Sequence, residues 1–199
     1  MAELEAKVGR QSVADGTINP IRQNIYGSLV AEQGGKYAEA AAAGRLFSIA
    51  NQAAVATTAA LATTWTGLAI GNPTNSGMRM SVLQFGWGLS VAGAKAGAIG
   101  LMGGATSLTP SLTPAKRINS SSASSAVATA GQTIATPVLF DIFGDYGTVA
   151  TSSVSTKGVH VVDLDGSLIL EPGRFIATYT TLDTTAAFVF SFLWEEISD

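Results

Sequence analysis

The sequence predicts a mainly β protein, an antiparallel β-sandwich of jelly-roll-like build with an extended N-terminal arm, and three observations predict it. Apolar residues recur at every second position in two runs, Ser81 to Val91 and Phe188 to Trp194, the period at which a pleated strand turns one face toward a core. Clusters of Gly, Pro, Asn and Asp separate the apolar runs at short intervals, as the turns of an all-β domain require. Helical periodicity is almost missing.

Taken in order, residues 1–50 read as an arm for attachment to a neighbour. They hold Lys7, Arg10, Arg22, Lys36 and Arg45, five of the eleven basic residues, and no long period-2 run. Asn24-Ile-Tyr-Gly-Ser-Leu-Val30 has the composition of a short strand, and Lys36 to Ala43 that of one or two helical turns ended by Gly44. Residues 51–199 read as the sandwich. Thr66 to Ile70 is a strand, and the turn formers Gly71-Asn-Pro-Thr-Asn-Ser-Gly77 suggest a hairpin into the next one.

In that next strand Leu83, Phe85, Trp87, Leu89 and Val91 form one apolar stripe, against Gln84, Gly86, Gly88 and Ser90 on the other face. Residues from about 105 to 137 are rich in Ser, Thr and Pro and read as a long loop ordered by contact with a neighbour. Val138 to Phe143 is a short apolar run. Asp165-Gly166 between two strand-like runs predicts a type I′ hairpin, and Glu171-Pro-Gly-Arg174 a type II turn. Phe175 to Thr180 alternates again. Phe188, Phe190, Phe192 and Trp194 place four aromatic rings on one face of the last strand, which is expected mid-sheet, each ring contributing about 1.5–3 kcal/mol on full burial. The count is about eight to ten strands. The expected core is Leu83, Phe85, Trp87, Phe188, Phe190, Phe192 and Trp194.

At 199 residues and 20.3 kDa the chain can build one such core. Charged residues make up 13% where about 25% is usual, and 47% of residues are hydrophobic with a mean hydropathy of +0.32. So little charge cannot cover a monomer's surface, and the expectation is an oligomer whose neighbours hide part of it. A net charge of −3 with scattered basic residues predicts no nucleic-acid footprint. No membrane span is expected: the most apolar window, Gly86 to Gly104, carries Lys95 and repeated glycines. The first residues lack the apolar stretch of a secretory signal.

Candidate chemistry is sparse. With no cysteine and one histidine, disulfides and thiolate metal sites are excluded. His160 with Asp163 suggests half of a nucleophilic triad, but no G-x-S-x-G elbow accompanies it. Asp163 with Asp165 supplies too few oxygens for calcium, and alternation sends Glu195 and Glu196 to opposite faces. Trp87 and Trp194 could form a sugar platform, but their aromatic neighbours favour core packing. No catalytic residue, cofactor or metal ligand is therefore expected.

A resemblance rests on three passages. Gly35-Lys-Tyr-Ala-Glu-Ala with Gly44-Arg-Leu-Phe and Asn51-Gln-Ala-Ala-Val, then Thr66-Gly-Leu-Ala-Ile-Gly-Asn-Pro with Ser76-Gly, and last Leu170-Glu-Pro-Gly-Arg-Phe with the closing Phe-Ser-Phe-Leu-Trp-Glu-Glu, look like stretches of small structural proteins of tailed bacteriophages, of the capsid decoration or cement type. The resemblance implies a non-enzymatic subunit made in the host cytoplasm and located on the capsid surface. Its implied partners are the major capsid protein and copies of itself, with a trimer favoured. Candidate interface residues are Arg22, Tyr26, Tyr37 and Arg45 on the arm and Lys116 and Arg117 in the loop. A receptor- or carbohydrate-binding head-fibre or tail module, or a tail or connector component, stays open as an alternative.

Overall fold

The computed structural model describes residues 35–91, 96–116, 123–146, 159–182 and 187–198. Strands hold 60% of these residues and helix almost none, so the chain is mainly β. It divides into two compact units, Met1–Ala38 and Glu39–Asp199. Of the first, the described part is the turn at Gly35, whose carbonyl accepts from the Ala38 N–H at 2.8 Å. The second is the sandwich.

One short helix, α1 (Ala38–Ala42), precedes ten strands: β1 (Leu46–Ala50), β2 (Thr64–Gly71), β3 (Met78–Val91), β4 (Gly97–Gly104), β5 (Ala115–Lys116), β6 (Val127–Thr133), β7 (Val138–Tyr146), β8 (Val159–Leu170), β9 (Phe175–Thr180) and β10 (Ala187–Ser198). They form two five-stranded antiparallel sheets, ordered β5-β1-β10-β3-β8 and β6-β2-β9-β4-β7. With β5 and β6 set aside, the chain switches sheet at every step from β1 to β4 and again from β7 to β10. That leaves the pairs of four strands of a jelly roll. β5 and β6 come from the insertion between β4 and β7, and each extends one sheet on the β1/β2 side.

The two sheets meet over an aromatic layer. β10 is central in the first sheet, and Phe188, Phe190, Phe192 and Trp194 are each at most 1% exposed. Phe85 of β3 lies 5.3 Å from Phe192 and 5.4 Å from Trp87, ring centre to ring centre. Phe47 of β1 stacks on Trp194 at 6.1 Å. The second sheet answers with aliphatic side chains, Leu68, Ile70, Ile99, Leu101 and Ile176. Its outer face is buried too: Trp65, Ala69, Met102, Leu108, Ile134, Phe175 and Ala177 form a smaller cluster, roofed by the insertion. β9 is therefore buried on both faces, as a strand covered on both sides must be, with Thr178 and Thr180 as its buried polar side chains.

Five expectations need correction. Residues 46–50 belong to the sandwich rather than the arm, because Phe47 and Ile49 face the core and β1 pairs with β10 from Leu46↔Glu195 to Ala50↔Ser191. The stripe of β3 changes phase at Leu83, which is skipped in the pairing with both neighbours: the register slips by one residue against β10, and residues 164–167 of β8 stand opposite Leu83 alone. Met80 and Val82 face inward before the slip and Phe85 and Trp87 after it, while Leu83 itself is buried outside the inter-sheet cluster. The turn Gly71 to Gly77 makes no hairpin, since β2 and β3 lie in different sheets.

Asp165-Gly166 also makes no hairpin. Both residues have the positive φ of a type I′ turn, 51° and 77°, but the flanking segments both pair with β3, at Gln84↔Asp163 and Val82↔Leu168. The turn is a bulge inside one continuous strand. Finally, the Ser/Thr/Pro-rich region contains β5, β6 and the insertion's roof over the second sheet. Its strand β6, Val-Ala-Thr-Ala-Gly-Gln-Thr, pairs with β2 through small side chains that carry almost no hydrophobic signal.

The type II turn is as the sequence indicates: Gly173 has φ 81° and the Arg174 N–H donates to the Glu171 carbonyl at 3.1 Å. It carries the chain from the first sheet to the second. Asn72 ties this corner to the neighbouring one, its amide donating to the carbonyls of Met78 (2.7 Å) and Leu170 (2.8 Å). At the far end of β10, Glu196 is 2% exposed. Its carboxylate accepts from the Ser124 hydroxyl (2.6 Å), the Ser125 N–H (2.9 Å) and the Trp194 indole (3.1 Å). Several donors offset the cost of burying it, and they fix the insertion to the end of the first sheet.

Two outcomes follow for stability, both read by urea denaturation. Phe190→Ala should cost about 3–5 kcal/mol, whereas Val189→Ala, on the outer face of the same strand, should cost under about 1 kcal/mol. Glu196→Gln should cost about 1–3 kcal/mol, because an amide nitrogen then faces backbone N–H groups that need an acceptor.

Candidate interaction surface

A sheet ends in strands whose outward backbone groups have no partner within it. The four edges of this sandwich differ. On one side, β5 is two residues long and β6 is small and polar, which offers little to a further strand. On the other side lie β7 and β8, nine and twelve residues long. Among the described residues, no strand pairs with either on its outer side.

This second side is also where the apolar surface collects. Eleven large hydrophobic residues are exposed among the described ones, and seven of them are Val138, Leu139, Phe140 and Ile142 on β7 and Val159, Val161 and Ile169 on β8. Val159 is 82% exposed and Val138 61%. β7 is exposed on both faces along its first half, and two register slips against β4 (Ile99/Gly100 and Leu101/Met102) change which side chains face in. In its second half the strand leans onto the first sheet. Phe143 sits 6.0 Å from Phe85, and a Cβ on Gly144 would come within 2.8 Å of the Trp87 ring, so only a residue without a side chain allows this approach.

Between the edges runs a cleft of about 310 Å³ lined by Phe140, Phe143, Val162, Leu164 and Leu168, with Asp141, Asp163 and Ser167. Its two carboxylates are Asp141 of β7 and Asp163 of β8. The Asp141 carboxylate accepts from the Ile142 N–H at 2.7 Å, and Asp163 accepts from the Gln84 amide at 2.7 Å.

His160 and Asp163 do not assemble a triad. The imidazole stacks on Trp87 at 5.0 Å with 16° between planes, while Asp163 meets Gln84 on the opposite face of the sheet. Among the described residues no group of three or more His, Asp or Glu side chains is placed to hold a metal ion. Trp65, Trp87 and Trp194 are at most 5% exposed, so none forms a surface platform. No helix among the described residues is long and apolar enough to cross a membrane.

Three of the six candidate interface residues, Tyr37, Arg45 and Lys116, fall among the described residues. Arg22, Tyr26 and Arg117 lie outside the described residues. Arg45 is held by Glu195 of β10 at 2.9 Å. Lys116 is on β5, its backbone paired with Phe47. Tyr37 carries the Lys36 ammonium 5.4 Å above its ring. Arg45 and Lys116 thus fall on the β1/β5 side of the first sheet, opposite the apolar edges. Sequence reasoning missed the β7 surface, and the signal was Asp141 and Asp145 interrupting an apolar run: carboxylates in a strand mark an edge.

No family model, curated protein or solved structure matches the chain.

The surface can be separated from the fold by substitution. Ile142→Lys and Val159→Lys should each change unfolding free energy by less than about 0.5 kcal/mol, while Phe143→Ala, which removes the ring resting on Phe85, should cost more than about 1 kcal/mol; guanidinium melts of the three variants measure this.

Proposed function

We propose that the protein is a non-enzymatic structural subunit of a tailed-phage virion, a decoration or cement protein that binds the major capsid protein as a homo-oligomer. The observation that carries this reading is the concentration of exposed apolar side chains on the β7/β8 side, with the opposite side capped by the insertion. A contiguous apolar edge on a free monomer would invite indiscriminate pairing. It is harmless where a fixed neighbour covers it.

Three further points support the reading. Jelly rolls recur in viral capsid and lectin domains, although a fold alone assigns no function. The low charge of the chain suits a subunit much of whose surface is shared. The deep burial of all three tryptophans leaves the carbohydrate-binding alternative without the aromatic platform that motivated it.

The mechanism is mechanical. A coat lattice under pressure from packaged DNA is stabilised by any subunit that binds the assembled lattice and not its separated parts, in proportion to the binding free energy. An oligomer presents several coat-binding surfaces at once, so the first contact raises the effective concentration of the rest. A stable interface of this kind needs roughly 1,200–2,000 Å² of buried surface, which one edge strand with its flanking face supplies only in part.

Sedimentation velocity on the purified protein, followed by co-sedimentation with phage heads, tests the proposal. The wild type should run as a closed oligomer, trimer favoured, and pellet with the heads; Ile142→Lys combined with Val161→Lys should shift the oligomer toward monomer. A wild-type monomer that stays in the supernatant would refute the assignment.

A further inference from the structure

Among the described residues, β7 and β8 leave their outer edges open on one side of the sandwich, and β5 and β6 finish the other side. A molecule that offers one patch to its own kind makes an isologous contact, in which the patch meets itself about a two-fold axis. An axis normal to the sheets reverses each edge strand, so it sets β7 antiparallel to its own copy and β8 antiparallel to its own.

We propose that the β7 edge is completed by the β7 edge of a second copy, in an antiparallel pair centred on Ile142. This inference rests on the oligomeric reading above, names what covers the surface there, and makes the assembly even-numbered in place of the trimer that the resemblance favours. Two features fix the register. The slips against β4 set Leu139, Ile142 and Asp145 opposite Met102, Gly100 and Ala98, which are alternate residues of one strand and so share a face; Met102 belongs to the outer cluster. The three β7 residues are evenly spaced about Ile142, so the axis returns that face to itself. Charge decides against the neighbouring centres. Asp141 would oppose its own copy in a pair centred on Asp141, and would oppose Asp145 in one centred on Phe143, and like charges directly opposite destabilise a ladder. Centred on Ile142, the pair sets Asp141 opposite Phe143, Asp145 opposite Leu139, and Phe140 opposite Gly144, which has no side chain to compete for the space.

β8 meets its copy about the same axis. Phe143 rests on Phe85, and Phe85 pairs with Val162, which brings Val162 to the level of the β7 centre; a pair centred there sets Asp163 opposite Val161. β7 and β8 contribute nine and twelve residues, matching the roughly 20–30 that each partner gives to a standard interface. Seven of them are the exposed large hydrophobic residues of this side. Each five-stranded sheet is thereby continued by its copy, and neither edge on this side stays open.

The chain has no cysteine, so single substitutions in the full-length protein read the register directly. Ile142→Cys stands on the axis, where directly opposed Cα atoms are about 4.5–5.5 Å apart, inside the range of about 4.4–6.8 Å that a disulfide spans. Leu139→Cys shares its strand and face but stands about 20 Å from its copy. Under mild oxidation, with products separated without reductant, Ile142→Cys should give at least about tenfold more covalent dimer than Leu139→Cys. A mixture of Leu139→Cys and Asp145→Cys chains should give a mixed dimer that neither chain forms alone, which reads the same register without touching Ile142. Equal dimer from Ile142→Cys and Leu139→Cys, or no dimer from Ile142→Cys and none from the mixture, overturns the inference. Sedimentation of the wild-type protein separates the two levels: an oligomer without the trapped dimers refutes the two-fold pair alone, and a monomer refutes the oligomeric reading beneath it.

Discussion

Every open β-sheet ends in two strands with half of their backbone hydrogen-bonding groups turned outward, and this sandwich has four such ends. How each is treated governs the rest of the molecule. The insertion between β4 and β7 adds β5 and β6 to one side and so replaces the edges β1 and β2 with a two-residue strand and a small, polar one. Nothing comparable covers β7 and β8 among the described residues. Their exposed valines, leucine, isoleucines and phenylalanine make the two sides of the molecule chemically different, and a protein with two different sides is suited to ordered assembly.

The core explains why the open side stays in place without a partner. Phe85 touches four rings, Trp87, Phe190, Phe192 and Phe143, so the second half of β7 is packed into the same aromatic layer that joins the sheets. Aromatic pairs of this kind contribute about 0.5–1.5 kcal/mol beyond the area they bury. β7 is thus anchored at Phe143 and Gly144 and presents its first half outward. At the other end Glu196 performs the equivalent task for the insertion, holding Ser124 and Ser125 against β10. One side is closed by a buried carboxylate, and the other is held open by a buried ring.

Much of this was legible in the sequence. Strict alternation identified the aromatic face of β10, and the Glu-Pro-Gly-Arg turn declared its own geometry, because in both cases the local signal and the tertiary structure agree. Where they diverge, the sequence misleads. Asp165-Gly166 carries the backbone preference of a hairpin, yet pairing of both flanks with β3 turns it into a bulge. Leu83 continues a period-2 stripe on paper, and a one-residue slip moves it off the core face. β6 is invisible because strands of Ala, Thr and Gly bury little area per residue. The apolar run of β7 resembles a buried strand, and only its two aspartates distinguish an edge.

The central claim is that the β7 edge is covered when copies of the chain meet. Amide hydrogen exchange of residues 138–146, followed by mass spectrometry across a dilution series, tests it most directly. Coverage predicts slow exchange in concentrated protein that accelerates on dilution, while the β10 amides remain protected throughout. Rapid exchange of the β7 amides at every concentration would contradict the account.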